Sequence, residues 1–172
     1  TSKIFVMAIH NNNNILRKLS SERARGYYQL NDEEPTYTAR YLGKTKVVEF
    51  LRPENGLSVS ARCVDKLHDG VQGKGKKRKV SILISSNISR GITVTDQGPG
   101  VKEEVCHKLF DIAYCCTDIR NKMIFSFIAE QQGELQCHAF VFKTEETAKE
   151  VCLALADAFK TAHGEWIRKQ KR

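Results

Sequence analysis

From Thr36 the chain alternates. Tyr37, Ala39 and Tyr41 fall on one face of an extended segment, and Thr36, Thr38 and Arg40 fall on the other. That is the period of a half-buried first strand, with Gly43 permitting a bend or bulge. After the turn-like Pro53-Glu54-Asn55-Gly56 the period changes: Leu57, Ala61, Val64, Leu67 and Val71 recur at helical spacing. This predicts one amphipathic helix of about three or four turns, capped by Ser58 or Ser60, with Gly73 beyond its end. Two β-branched runs follow, Val80 to Ile84 and Gly91 to Thr95, joined by Ser85-Ser86-Asn87 and closed by Gly98-Pro99-Gly100. Leu109 to Cys116, Met123 to Ala129 and Gln136 to Phe142 predict three further strands, and Val101 to Cys106 a shorter one.

The strongest periodic signal closes the chain. Ala148, Val151, Cys152, Leu155, Phe159, Ala162 and Trp166 trace one apolar stripe, uninterrupted by proline and free of glycine before Gly164. Thr144 can cap this helix, Glu145 and Glu146 suit its positive start, and Arg168, Lys169, Lys171 and Arg172 suit its negative end. Strand, helix, a run of about six strands and a long helix imply an α+β fold: an antiparallel β-sandwich or open barrel capped by the last helix. Residues 1–35 show no coherent element beyond a short helix after Asn14, and are set apart as an N-terminal extension. Residues 36–172 form the domain.

At 172 residues and 41% hydrophobic content, one well-filled core is expected. The longest apolar run, Ile4 to Ile9, is too short for a spanning helix or a convincing signal sequence, so a soluble, non-secreted protein is expected. The six cysteines contain no C-x-x-C pair and no metal-type clustering with histidine, which points to reduced thiols and no metal site. A net charge of +8 favours an anionic contact, whether membrane, phospho-ligand or nucleic acid.

Catalytic readings fail on geometry. Cys137 and His138 are adjacent on a strand, where successive side chains diverge, so they cannot act as nucleophile and base; Cys115 and Cys116 diverge likewise. Gly73-Lys74-Gly75-Lys76 lacks the serine or threonine of a phosphate loop and precedes a strand. No catalytic residue and no cofactor is expected. Arg17-Lys18-Leu19-Ser20 has the form of a kinase substrate, as many short strings do.

The motifs Tyr41-Leu42-Gly43, Ile112-Ala113-Tyr114-Cys115, Phe125-Ser126-Phe127-Ile128-Ala129, Cys137-His138-Ala139-Phe140 and Ala158-Phe159 occur in order. In these residues the chain resembles the phosphotyrosine-binding (PTB) domains of the Disabled, Numb and LDL-receptor-adaptor group, over roughly residues 36 to 170. The resemblance implies a pleckstrin-homology-like (PH-like) sandwich of about seven strands that binds NPxY-type sequences in receptor tails. The peptide would add a strand to the fifth strand, a mode in which main-chain hydrogen bonds supply affinity and pockets supply specificity.

The implied peptide site is Phe110, Ile112, Ala113, Tyr114, Cys115 and Cys116 on the edge strand, with Phe159 on the last helix and Leu155 and His163 on related faces. Phosphotyrosine-dependent relatives place basic side chains where this chain has Glu130 and Leu135. A carboxylate repels a phosphate, so phosphorylation should not be required. Arg40, Lys44, Lys46, Lys74, Lys76, Lys77, Arg78 and Lys79 fall where Disabled-type domains bind phosphatidylinositol bisphosphate, implying a second, lipid-binding surface. The expectation is thus a monomeric cytoplasmic adaptor, peripheral at the inner face of the plasma membrane and acting in endocytosis, with no nucleic-acid partner. A phosphoinositide-only membrane-targeting module of the same PH-like fold is the alternative.

Overall fold

The computed structural model describes residues 34–71, 77–100 and 102–172. In chain order these form β1 (Thr36–Lys46), α1 (Gly56–Val71), β2 (Arg78–Ile84), β3 (Ile92–Asp96), β4 (Glu104–His107), a 3-10 turn (Leu109–Asp111), β5 (Ile112–Thr117), β6 (Ile124–Gln131), β7 (Glu134–Val141) and α2 (Glu145–Gln170). The strands make one antiparallel sheet in the order β4-β3-β2-β1-β7-β6-β5. The expected N-terminal helix after Asn14, the serine at position 20, Gly73, Lys74, Gly75 and Lys76 lie outside the described residues.

Both sheet faces are covered, and β6 shows why its sequence is almost continuously apolar. Phe125, Phe127 and Ala129 enter the main core with Ile82, Phe140 and the α2 residues Val151, Leu155 and Phe159. The intervening Ile124 and Ile128 point the other way, into two smaller clusters that receive Val59, Cys63, Val64 and Leu67 from α1. The sheet curls enough that β2 and β5 both touch α2, although three strands lie between them. Gly43, at φ 125°, accompanies a register shift in the β1–β7 pairing, which is the bulge its position suggested. The chain is tied in from residue 34: Ser85 Oγ donates to Glu34 Oε1 at 2.6 Å and Ile84 N–H to the Pro35 carbonyl at 3.0 Å.

Several expected boundaries move. The segment 109–111 is a 3-10 turn rather than strand, because Asp111 N–H turns back to the Lys108 carbonyl (3.0 Å) while Leu109 is wholly buried. Phe110 therefore precedes the edge strand instead of opening it. Helix α1 starts at Gly56, so Ser58 and Ser60 lie inside it rather than capping it; Ser58 Oγ donates to the Asn55 carbonyl. Leu57 leaves the predicted stripe and is 46% exposed. On α2 the Thr144 cap forms as the sequence suggests, with Thr147 N–H donating to Thr144 Oγ1 at 3.2 Å. Trp166, however, is 43% exposed, because the helix has run past the core by then.

Candidate functional site

Among the described residues β5 pairs with β6 alone, so its far side is a sheet edge. An antiparallel strand directs N–H and C=O groups alternately to its two neighbours, and an edge leaves one set open to an incoming chain. A groove of about 530 Å³ follows this edge. Its floor is Tyr114, Cys115 and Cys116 of β5 together with Cys152 and Leu153 of α2, while Lys122, Glu145, Glu146 and Lys149 stand around it. The floor is uncharged as well as apolar. Burial pushes the Cys116 thiol up to about 11, against the Ser126 hydroxyl 3.7 Å away, which lowers it. A hydrogen bond to Cys115, then burial, hold Cys152 well above the usual thiol range. Protonated, buried thiols pack as small apolar groups and are poor nucleophiles.

Cys115 and Cys116 enter different clusters, one in the main core and one beneath α1. Cys137 and His138 likewise face opposite sides. None of the six cysteines, all of them described, is in a disulfide.

The structure brings only some of the expected peptide residues together. Tyr114, Cys115 and Cys116 line the groove, Ile112 and Ala113 are buried in β5, and Phe110 is half-buried in the preceding turn. Leu155 and Phe159 lie below the groove in the main core, Phe159 being only 2% exposed. His163 is half-buried one turn further on, its ring 6.3 Å from that of Trp166. Sequence reasoning missed the other side of the groove, which includes Leu57 of α1. Glycine 56 seats that helix start: a Cβ there would meet the Tyr114 ring at 2.4 Å.

The basic residues divide among three places. Arg40 faces Lys79 in the β1–β2 register, and its guanidinium donates to the Lys77 carbonyl at 3.4 Å. Lys46 stands apart, paired with Glu134 at 2.7 Å. Lys44 and Arg78 line a separate cavity of about 390 Å³, on the face of the sheet that carries Tyr41, His107 and His138. Arg78 lies 5.7 Å from the Tyr41 ring centre and pairs with Asp96 at 3.1 Å. His138 Nε2 donates to Gln131 Oε1 at 3.1 Å, so its Nδ1 accepts from the Tyr41 hydroxyl at 2.9 Å. Burial pushes the Tyr41 phenol up to about 12, with Arg78 pulling the other way.

At the end of β6, Glu130 stands opposite Leu135 on β7. Glu130 is exposed, and Leu135 packs against the cluster beneath α1.

The comparisons agree with this architecture. The mouse low density lipoprotein receptor adapter protein 1 is 35% identical over 137 residues, covering 78% of this chain and 42% of that protein. The human protein of the same name is 32% identical over 133 residues, covering 76% and 41%. The mouse PTB domain-containing engulfment adapter protein 1 is 28% identical over 135 residues, covering 76% and 42%. The chain thus spans about two fifths of the length of these curated relatives. In structure it resembles the C-terminal phosphotyrosine interaction domain of mouse APBB2, with a TM-score of 0.50 at 16% identity, covering 77% of this chain and 91% of that one. The family model of the phosphotyrosine interaction domain (PTB/PID) matches residues 37–169, and the chain belongs to this family.

Proposed function

We propose that this domain is the peptide-capturing part of a cytoplasmic adaptor, binding NPxY-type sequences in receptor tails as an added strand on β5. The observation that carries this reading is the open edge of β5 beside α2, with an apolar groove along it. Tyr114, Cys115 and Cys116 would contact the peptide directly, and Leu155 and Phe159 would hold α2 against the strand from beneath. His163 would meet the peptide where it runs on along the helix. The names of the relatives, a receptor adapter and an engulfment adapter, support a role in receptor uptake at the inner face of the plasma membrane.

Phosphorylation is not required in this proposal. Glu130 would repel a phosphate at the end of β6, and Leu135 offers it no hydrogen bond. Fluorescence polarisation with matched tyrosine and phosphotyrosine NPxY peptides tests both parts. Saturable binding of both, within about tenfold of one another (about 1.4 kcal/mol), is expected. A larger gain for the phosphopeptide contradicts phosphate independence, and no binding of either contradicts the adaptor reading.

A second ligand, an anionic phosphoinositide surface, is supported by Arg40, Lys77 and Lys79 clustering on β1 and β2, and by Lys44 and Arg78 at the nearby cavity. Each cation near such a membrane contributes on the order of 1 kcal/mol. Charge reversal at Arg40 and Lys79 should abolish co-sedimentation with phosphoinositide vesicles and leave peptide binding intact. Equal pelleting of wild type and variant contradicts the lipid reading.

A further inference from the structure

The two most exposed large apolar side chains among the described residues lie in the loop that leads into α1, whose first turn carries a third, Leu57, on the groove itself. Val48 is 74% exposed and Phe50 78%, in the loop between β1 and α1, and Leu57 follows at 46% in the first turn of α1. This loop is fastened, so its exposure is built in. Asn55 Oδ1 accepts from Arg52 N–H at 2.7 Å, and Asn55 Nδ2 donates to the Phe50 carbonyl at 2.8 Å. Val47 N–H donates to the Leu135 carbonyl at 2.8 Å. Val47 and Leu51 are buried in the same cluster as Ala113, Tyr114 and Cys116 of β5, which turns their neighbours Val48 and Phe50 outward. The contact of Gly56 with the Tyr114 ring brings α1 in closely enough for Leu57 to line the groove itself.

We infer that the peptide groove has two walls, and that the second, begun by Leu57 and continued by Phe50 and Val48, takes apolar side chains from alternate positions of the bound strand. The inference rests on the peptide reading above. Successive side chains of an added strand point to opposite faces of the sheet. One set must meet α2, at Cys152 and Leu153; the other set must meet the α1 side, where Leu57 stands. The occupant is therefore an extended peptide with apolar residues in one phase of its alternation, and a peptide shifted by one residue presents the wrong set. A membrane fits this wall less well. Lys46 and Arg62 are already paired with Glu134 and Glu49, and within the loop the charge of Arg52, which lies 5.4 Å from the Phe50 ring centre, is offset by Glu54.

The test is one of phase. Two unphosphorylated NPxY peptides are titrated into wild type, Leu57→Glu and Phe50→Ser: one carries leucines at alternate positions upstream of the motif, the other carries them at the intervening positions. Glutamate in the first turn of α1 suits the helix, and residue 50 lies outside it, so neither variant threatens the fold. Leu57→Glu should weaken one phase about tenfold and leave the other within about twofold, with Phe50→Ser weakening the same phase less. Equal weakening of both phases, no weakening of either, or a loss confined to vesicle binding overturns the inference while the peptide reading stands. Failure of wild type to bind either peptide overturns both.

Discussion

A methyl group at Gly56 would sit 2.4 Å from a ring carbon of Tyr114, and the ring cannot withdraw because Tyr114 is packed beneath α1. Gly56→Ala is therefore expected to cost about 1–3 kcal/mol, read as a lower urea midpoint; an unchanged midpoint contradicts this packing. Phe159 carries a larger weight, because its ring is enclosed by the main core. Phe159→Ala should cost about 3–5 kcal/mol. Its place on the helical stripe was legible from spacing alone, but spacing cannot say whether a stripe residue meets the core or a ligand. The histidines show a different limit. Burial holds His107 at about 4 and His138 at about 3, both below the usual 6.5, with His107 adding to the depression of His138. The folded protein keeps both rings neutral, whereas the unfolded chain takes up protons as pH falls through 6.5. Their contribution is therefore intact above about pH 6.5 and lost as pH falls toward the folded values. Stability should fall from pH 7 to pH 5, and His138→Gln should reduce that slope by up to on the order of 1 kcal/mol per pH unit; an unchanged slope contradicts the assignment.

Elements were legible where local rules and tertiary packing agree. Helix α2 is the clearest case, since stripe, Thr144 cap and terminal charges all point the same way. Thr144→Ala should cost about 1 kcal/mol, measured by urea denaturation, and no change would contradict the cap. The start of β5 was not legible. Leu109 and Phe110 have strand composition, and only the burial of Leu109 turns them into a 3-10 turn before the edge. The start of α1 was not legible either: Ser58 and Ser60 are good caps by type, yet Val59 N–H already donates to the Asn55 carbonyl at 2.9 Å, so the helix is under way at Gly56, where the Tyr114 ring leaves no room for a side chain. Leu57, in the first turn of that helix, lines the groove and not the core.

At the scale of the whole molecule, strand order decides which strand is an edge, and periodicity within single strands carries no information about order. The resemblance to PTB domains implies a fifth strand at the edge, and the sheet has β5 outermost. The same order explains why Lys46 is separated from Arg40, Lys77 and Lys79. Strands β1 and β2 are neighbours and gather Arg40 with Lys77 and Lys79, while beyond Gly43 β1 turns to β7, taking Lys46 to Glu134.

The most direct test of the central claim is backbone amide NMR during titration with an unphosphorylated NPxY peptide. Saturable shifts are expected at residues 112–117 and along α2 as far as His163, with the outward amides of β5 gaining protection from exchange. Shifts confined to β4, at residues 104–107, or a β5 that does not respond at saturating peptide, would contradict capture at this edge.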